Sequence, residues 1–212
     1  MKNILISGSL AYDSIMVFQD YFKNHILPDQ IHKLSVSFFV PELKRYFGGT
    51  AGNIAYNLSL LNANSILMAT VGEDFSSYEK RLSKFDIVQD YVKEVTDSLT
   101  AQAYITTDLD DNQSTAFHPG AMMESHQNSI SSITEKVDLA IIAPAGKEGM
   151  IKHAQECSEK KIPFIFDPGQ GLPMFDKNEL NTFIEQATFI AVNDYEAYLL
   201  MKVSGLTISQ IH

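Results

Sequence analysis

A layered α/β fold with a mostly parallel sheet and a small β appendage is predicted by three features of the chain. Short apolar runs alternate with helix-periodic segments, glycines punctuate the ends of several runs, and two β-type regions interrupt that rhythm. Asn3–Ser7 (NILIS) is a short buried-strand pattern ended by Gly8. Composition around Ile15–Phe18 and partial alternation in Leu34–Val40 predict two further strands, joined by a loop over His25–His32 that contains Pro28 and Asp29. Gly48-Gly49 then breaks the pattern. Ala51–Leu61 reads as a helix with Ile54, Leu58 and Leu61 on one face, and Ala51 and Ala55 let that face pack closely.

Ser65–Val71 is a buried strand closed by Gly72, and Ser76–Phe85 a charged amphipathic helix. Ala101–Thr107 and Ser114–Phe117 flank the polar turn Asp108–Asn112 and read as a hairpin. After residue 130 the alternation is regular. Strands are expected at Leu139–Ala143, Pro163–Asp167 and Phe189–Val192, and helices at Lys147–Glu159, Lys177–Gln186 and Asp194–Val203. This order predicts parallel strands joined by right-handed crossovers, with an appendage inserted at about 15–47 and 101–118. Thr207–Ile211 reads as the start of another helix with Thr207 as N-cap, so the chain is expected to be the N-terminal part of one larger domain.

With 45% hydrophobic and 20% charged residues among 212, the composition is that of a globular protein. Asp and Glu number 26 against 16 Lys and Arg, a formal charge of −10 with no basic stripe, which argues against nucleic-acid and anionic-membrane partners. A polyphosphate ligand stays open, because it arrives with Mg²⁺ and is held by backbone N–H groups at helix starts. Cys157 is the lone cysteine, which fits a reducing compartment and a packing role in a helix. The opening apolar run is too short for a signal peptide or a membrane span, and a cytoplasmic location is expected.

Four polar or glycine-rich segments follow separate strands or open helices. Gly48-Gly49-Thr50-Ala51-Gly52-Asn53 opens a helix where backbone N–H groups are free, though a sharp turn packed under a sheet explains it equally well. Its glycine spacing is neither the P-loop nor the dinucleotide fingerprint. Asp13 lies just past the first strand, where ligands of open α/β sheets bind, or serves as a turn or cap residue. Asp167-Pro168-Gly169-Gln170-Gly171-Leu172-Pro173 is a rigid loop in which Gln170 can both donate and accept. Asn193 and Glu196 share a helical face toward a hydrated Mg²⁺ or phosphate, and a capping box explains the same spacing. Together these loops argue for one ligand site at one sheet edge.

The segments Gly8–Asp13, Gly48–Asn53, Thr115–Met122, Asp167–Gly171 and Asn193–Glu196, in that order, resemble those of the ribokinase-like (PfkB) carbohydrate and nucleoside kinases, and within them the bacterial adenosine kinases. The resemblance covers the whole chain. It implies a three-layer α/β/α fold with a β-sheet lid, ATP and Mg²⁺ as cofactors, and a nucleoside or sugar as substrate. It places Asp13, Gly49 and Asn53, with Gly48 in the same signature, on the ribose hydroxyls. Ser9, Phe117, Met122 and Gln170 surround the nucleoside, and the Phe117 ring offers a stacking face. Asn193 and Glu196 lie near the phosphates and Mg²⁺, with Glu196 acting through water.

One departure stands out. The family's second signature, a glycine-rich turn ending in the catalytic aspartate, does not occur before His212. No catalytic residue is therefore assigned within the chain, and the aspartate is expected beyond it. The implied reaction is transfer of the ATP γ-phosphate to the 5′-hydroxyl of adenosine. Phosphorylation of another sugar by a related kinase, or nucleoside binding without chemistry by a truncated remnant, are the alternatives. The resemblance leaves two assemblies open, a homodimer paired through the lid and a monomer.

Overall fold

The computed structural model describes residues 2–26 and 35–211. Its main sheet has six strands in the order β10-β9-β8-β1-β4-β5: β1 Asn3–Ser7, β4 Asn64–Val71, β5 Val88–Glu94, β8 Leu139–Ile142, β9 Phe164–Phe166 and β10 Phe189–Ile190. Every pairing within it is parallel. Helices α1 (Thr50–Leu60), α2 (Ser76–Ser83), α3 (Lys147–Glu159), α4 (Lys177–Gln186), α5 (Asp194–Ser204) and the short α6 (Ile208–Ile211) complete the layers. A separate four-stranded sheet, ordered β3-β2-β6-β7, forms the lid from β2 (Ala11–Val17), β3 (Leu43–Gly48), β6 (Ala101–Thr107) and β7 (Gln113–His118).

Alternating side chains put the strands into two apolar cores. Leu5, Ile66 and Met68 point into one with Ala140, Ile142, Phe164 and Phe166, which α3, α4 and α5 close with Met150, Ala154, Leu180, Phe183 and Leu200. Ile6, Leu67, Ala69 and Val71 point the other way, against Ala51 and Ala55 of α1 and Tyr78 and Leu82 of α2. Phe166 and Phe183 stack with ring centroids 4.1 Å apart, tying β9 to α4. Cys157 is fully buried in the first core, and burial pushes its thiol up to about 12, so it packs rather than reacts.

Most elements fall where the apolar periodicity puts them, with four differences. Residues 35–40 of the expected strand Leu34–Val40 carry no strand, and residue 34, like 27–32 of the expected loop, lies outside the described residues. Phe38 instead packs its ring 4.8 Å from those of Phe18 and Phe22, and β2 takes Leu43–Gly48 as its partner. Both stretches have strand composition, and only the register against β2 chooses between them. β2 begins at Ala11 rather than near Ile15, so Asp13 sits within a strand and not in a turn or cap. β5 (VQDYVKE) escapes the periodicity because its edge position leaves it polar. Leu61, expected on the packed face of α1, is 76% exposed at the helix end.

Chain order moves outward from β1 in both directions, through β4 and β5 on one side and through β8, β9 and β10 on the other. The carboxyl end of β1 is therefore the switch point where open α/β sheets bind ligands. Beneath that end, Ser7 and His153 form a buried pair: the imidazole Nδ1 lies 2.8 Å from Ser7 Oγ and Nε2 lies 3.2 Å from the Asn128 carbonyl. The carbonyl can only accept, so Nε2 carries the proton and Nδ1 accepts from the serine. Burial pulls the His153 pKa down from 6.5 to about 4. The unfolded chain therefore binds the extra proton first, and this contribution to stability, present above pH 6.5, is lost as pH falls toward 4. Unfolding free energies from urea titration of the chain and its His153→Gln variant should converge between pH 7 and pH 5, by roughly 1 kcal/mol or more at about 1.4 kcal/mol per pKa unit. A constant gap would mean that His153 is not held neutral.

Candidate functional site

Thr50, the first residue of α1, joins three loops at the rim. Its backbone N–H donates to Ser9 Oγ at 3.1 Å and its hydroxyl donates to the Pro144 carbonyl at 3.2 Å. The same hydroxyl oxygen accepts from Ser9 Oγ at 3.1 Å and from the Ser9 N–H at 3.3 Å. Ser9 is thus largely occupied in holding the β1 loop, the start of α1 and the loop after β8 together. Pro144 in turn lies against Gly169 of the loop after β9, close enough that a Cβ there would meet its ring at 2.8 Å. Met122 is reached from the loop after β8, its carbonyl accepting from the Gly146 N–H at 3.2 Å.

Gly48 and Gly49 make the lid-to-helix turn possible. A Cβ on Gly48 would stand 2.0 Å from Asp13 Oδ2, so the carboxylate lies flat on the glycine backbone. Gly49 has φ 85°, ψ 146°, a region essentially confined to glycine, and a Cβ there would meet the Ser9 carbonyl at 2.6 Å. Tyr78 braces the turn from below by donating its hydroxyl to the Gly48 carbonyl at 2.7 Å, and burial pushes its pKa far up, keeping it a donor.

Asp13 is half-buried, and burial raises its pKa. Among the described residues it has no hydrogen-bond donor, which leaves a partly desolvated carboxylate open to a ligand. Strand register puts Tyr46, Asp13, Ala103 and Phe117 in one row across the same face of the lid. Asp13 and Phe117 are two strand spacings apart, roughly 10 Å, with only the methyl group of Ala103 between them. Phe117 is 53% exposed, so its ring is free to stack. A larger groove of about 810 Å³ lies along Asp97, Leu99, His118 and Glu124, but His118 belongs to the opposite lid face and the lining is acidic.

On the next loops, Asn193 and Glu196 form a reciprocal capping box: Asn193 Oδ1 accepts from the Glu196 N–H at 2.9 Å, and the Glu196 carboxylate accepts from Asn193 N and Nδ2 at 3.0 and 2.9 Å. Sequence reasoning passed over Asp167 as a site residue. Burial, and after it the neighbouring Glu196 charge, raise its pKa. Thr50 and Pro144 were also missed; threonine after a glycine pair is a weak signal, and the proline carbonyl leaves none. Gln170, exposed beside Gly169, and Met122, packed against the core on the α3 side, lie at the rim without a recorded side-chain partner. Asn53 is one turn into α1, its side chain bordering a pocket with Phe47, Tyr56 and Arg81.

This geometry makes Gly49 intolerant of a side chain. Gly49→Ala should lower stability by about 1–3 kcal/mol in urea titration through its φ alone, more if the Ser9 carbonyl must move. Unchanged stability would show that the turn is not built as described.

Known proteins share this fold. Residues 10–212 match the model of the pfkB family carbohydrate kinases. The nucleoside kinase of Burkholderia thailandensis in complex with inosine superposes with a TM-score of 0.86 at 48% identity, over 98% of this chain and 66% of that one. The same kinase in complex with ADP-inosine gives 0.82 at 50% identity, over 98% and 65%. The nucleoside kinase of Methanocaldococcus jannaschii is 33% identical over 164 residues, 76% of this chain and 53% of that protein. The chain therefore spans between half and two thirds of the length of these relatives. By its matched family model and its shared fold, the chain belongs to the pfkB family of carbohydrate kinases.

Proposed function

We propose that this chain is the nucleoside-binding part of a kinase that moves the γ-phosphoryl group of ATP to the 5′-hydroxyl of a purine nucleoside. The observation that carries the proposal is the lid row: a half-buried, unpartnered Asp13 carboxylate and an exposed Phe117 ring on one face, separated by Ala103. A carboxylate accepts from two vicinal hydroxyls, as on a ribose, while an aromatic ring about 10 Å away suits a flat base rather than a small sugar. The inosine held by the Burkholderia relative supports the same reading.

In this reading Asp13, with the Gly48 and Gly49 backbone and Asn53, orients the ribose so that its 5′-hydroxyl points toward the rim. Ser9, Met122 and Gln170 border the nucleoside. Asp167 and Glu196, two carboxylates whose charges oppose each other, fit a hydrated Mg²⁺, Glu196 through water and Asn193 beside it. Bound there, Mg²⁺ would neutralise phosphate charge during transfer. The resemblance assigns proton acceptance from the hydroxyl to an aspartate outside residues 1–212. The residues of this chain bind, orient and exclude water, contributions that phosphoryl transfer depends on. The edge strands β3 and β7 are exposed along most of their length, and pairing of two lids is the proposed dimer contact, checked by analytical ultracentrifugation.

Calorimetric titration tests the site. Inosine or adenosine should bind the chain more tightly than ribose. Asp13→Ala should weaken both nucleosides about 100-fold, the loss of two charge-assisted hydrogen bonds. Phe117→Ala should weaken nucleosides about 10-fold and leave ribose unchanged. Equal affinity of the Asp13 variant and the parent would remove Asp13 from the site.

A further inference from the structure

The chain has two arginines, Arg45 and Arg81, and both lie on aromatic rings. Arg45 stacks 4.5 Å over Tyr12 and donates to Gln102 Oε1 at 3.3 Å. Arg81 is different. Its guanidinium lies 4.5 Å from the Phe85 ring, 5.3 Å from Tyr56 and 5.9 Å from Phe47, yet it has neither an acidic partner nor a hydrogen-bond acceptor among the described residues. Ring faces engage the flat π surface of a guanidinium and leave its in-plane N–H donors free. Arg81 is partly buried, so those donors are only partly served by water.

They border a pocket of about 210 Å³ between α1, α2 and the end of β3. Tyr56 lines the same pocket, and its hydroxyl has no hydrogen-bond partner among the described residues; Asn53, exposed to solvent, stands at the border. No carboxylate lines it, in a chain of net charge −10. Two partly buried, unpaired donor-bearing side chains, Arg81 with its positive charge and Tyr56, thus border a cavity walled by Phe47, Tyr78 and Phe85. The volume falls below the roughly 300–1,000 Å³ of organic-ligand sites, which excludes a nucleotide and admits a small anion.

We propose that the Arg81 pocket binds a small oxyanion, a carboxylate or phosphate group held by the guanidinium fork and by the Tyr56 hydroxyl. A planar fork pairs with two oxygens of such a group, whereas chloride offers no paired geometry. The site is distinct from the Asp167–Glu196 pair, which repels anions until a cation is bound.

The test is thermal unfolding of the chain in sodium phosphate, sodium acetate and sodium chloride at one ionic strength. A saturable rise in Tm with phosphate or acetate, absent with chloride, is expected. Which of the two saturates at lower concentration identifies the preferred group. Arg81→Gln should weaken the apparent affinity at least tenfold. Because that change also removes ring contacts, Tyr56→Phe serves as a second variant: it keeps the ring, loses the hydroxyl and should weaken the response severalfold. The proposal fails if chloride raises Tm equally, if neither oxyanion has an effect, or if both variants respond as the parent does.

Discussion

The hydroxyl of Thr50 stands where the loop after β1, the start of α1 and the loop after β8 meet, and the rest of the site takes its position from that junction. By donating to the Pro144 carbonyl while accepting from Ser9, it fixes the first turn of α1 against the carboxyl end of the central strand. Gly49 leads into that turn at a φ that few side chains tolerate, and Gly48 lies directly on the Asp13 carboxylate. The lid is thereby anchored to the sheet through backbone contacts with no space for adjustment. Such contacts position a carboxylate more rigidly than a side-chain hydrogen bond on a surface loop.

The electrostatics of the rim follow from burial rather than from ion pairing. Asp13 and Asp167 are both partly desolvated, and both pKa values are raised. Neither is neutralised by a lysine or arginine among the described residues, and the two arginines are stacked on rings away from them. In an acidic chain such carboxylates suit ligands that bring donors or a cation, and the diol proposed at Asp13 and the metal proposed at Asp167 and Glu196 are of that kind. The buried His153 shows the opposite case, a base kept neutral under the rim so that the end of β1 is supported without adding charge.

Several polar motifs serve structure and site together. The spacing of Asn193 and Glu196 reads as a helix cap, and the structure contains that cap in full. The cap does not compete with a metal role, because a carboxylate that accepts from Asn193 retains lone pairs for a hydrated ion. Ser9 is likewise occupied mainly by Thr50 and holds the loop after β1 in place beside the proposed nucleoside site.

Apolar periodicity alone determined the parallel α/β framework, because burial on both faces of a strand and on one face of a helix imposes its own repeat on the residues. Local rules also located the glycine pair and the Asn193–Glu196 cap. Register was not legible. Leu34–Val40 has the stronger strand composition, yet Leu43–Gly48 is the stretch that pairs with β2, and the pairings of β2 with β6 and of β6 with β7 line Asp13 up with Ala103 and Phe117. The closeness of Asp167 to Glu196, and of Arg81 to Tyr56, joins residues far apart in the chain. Such contacts are set by how layers pack, which the order of residues along one element does not encode.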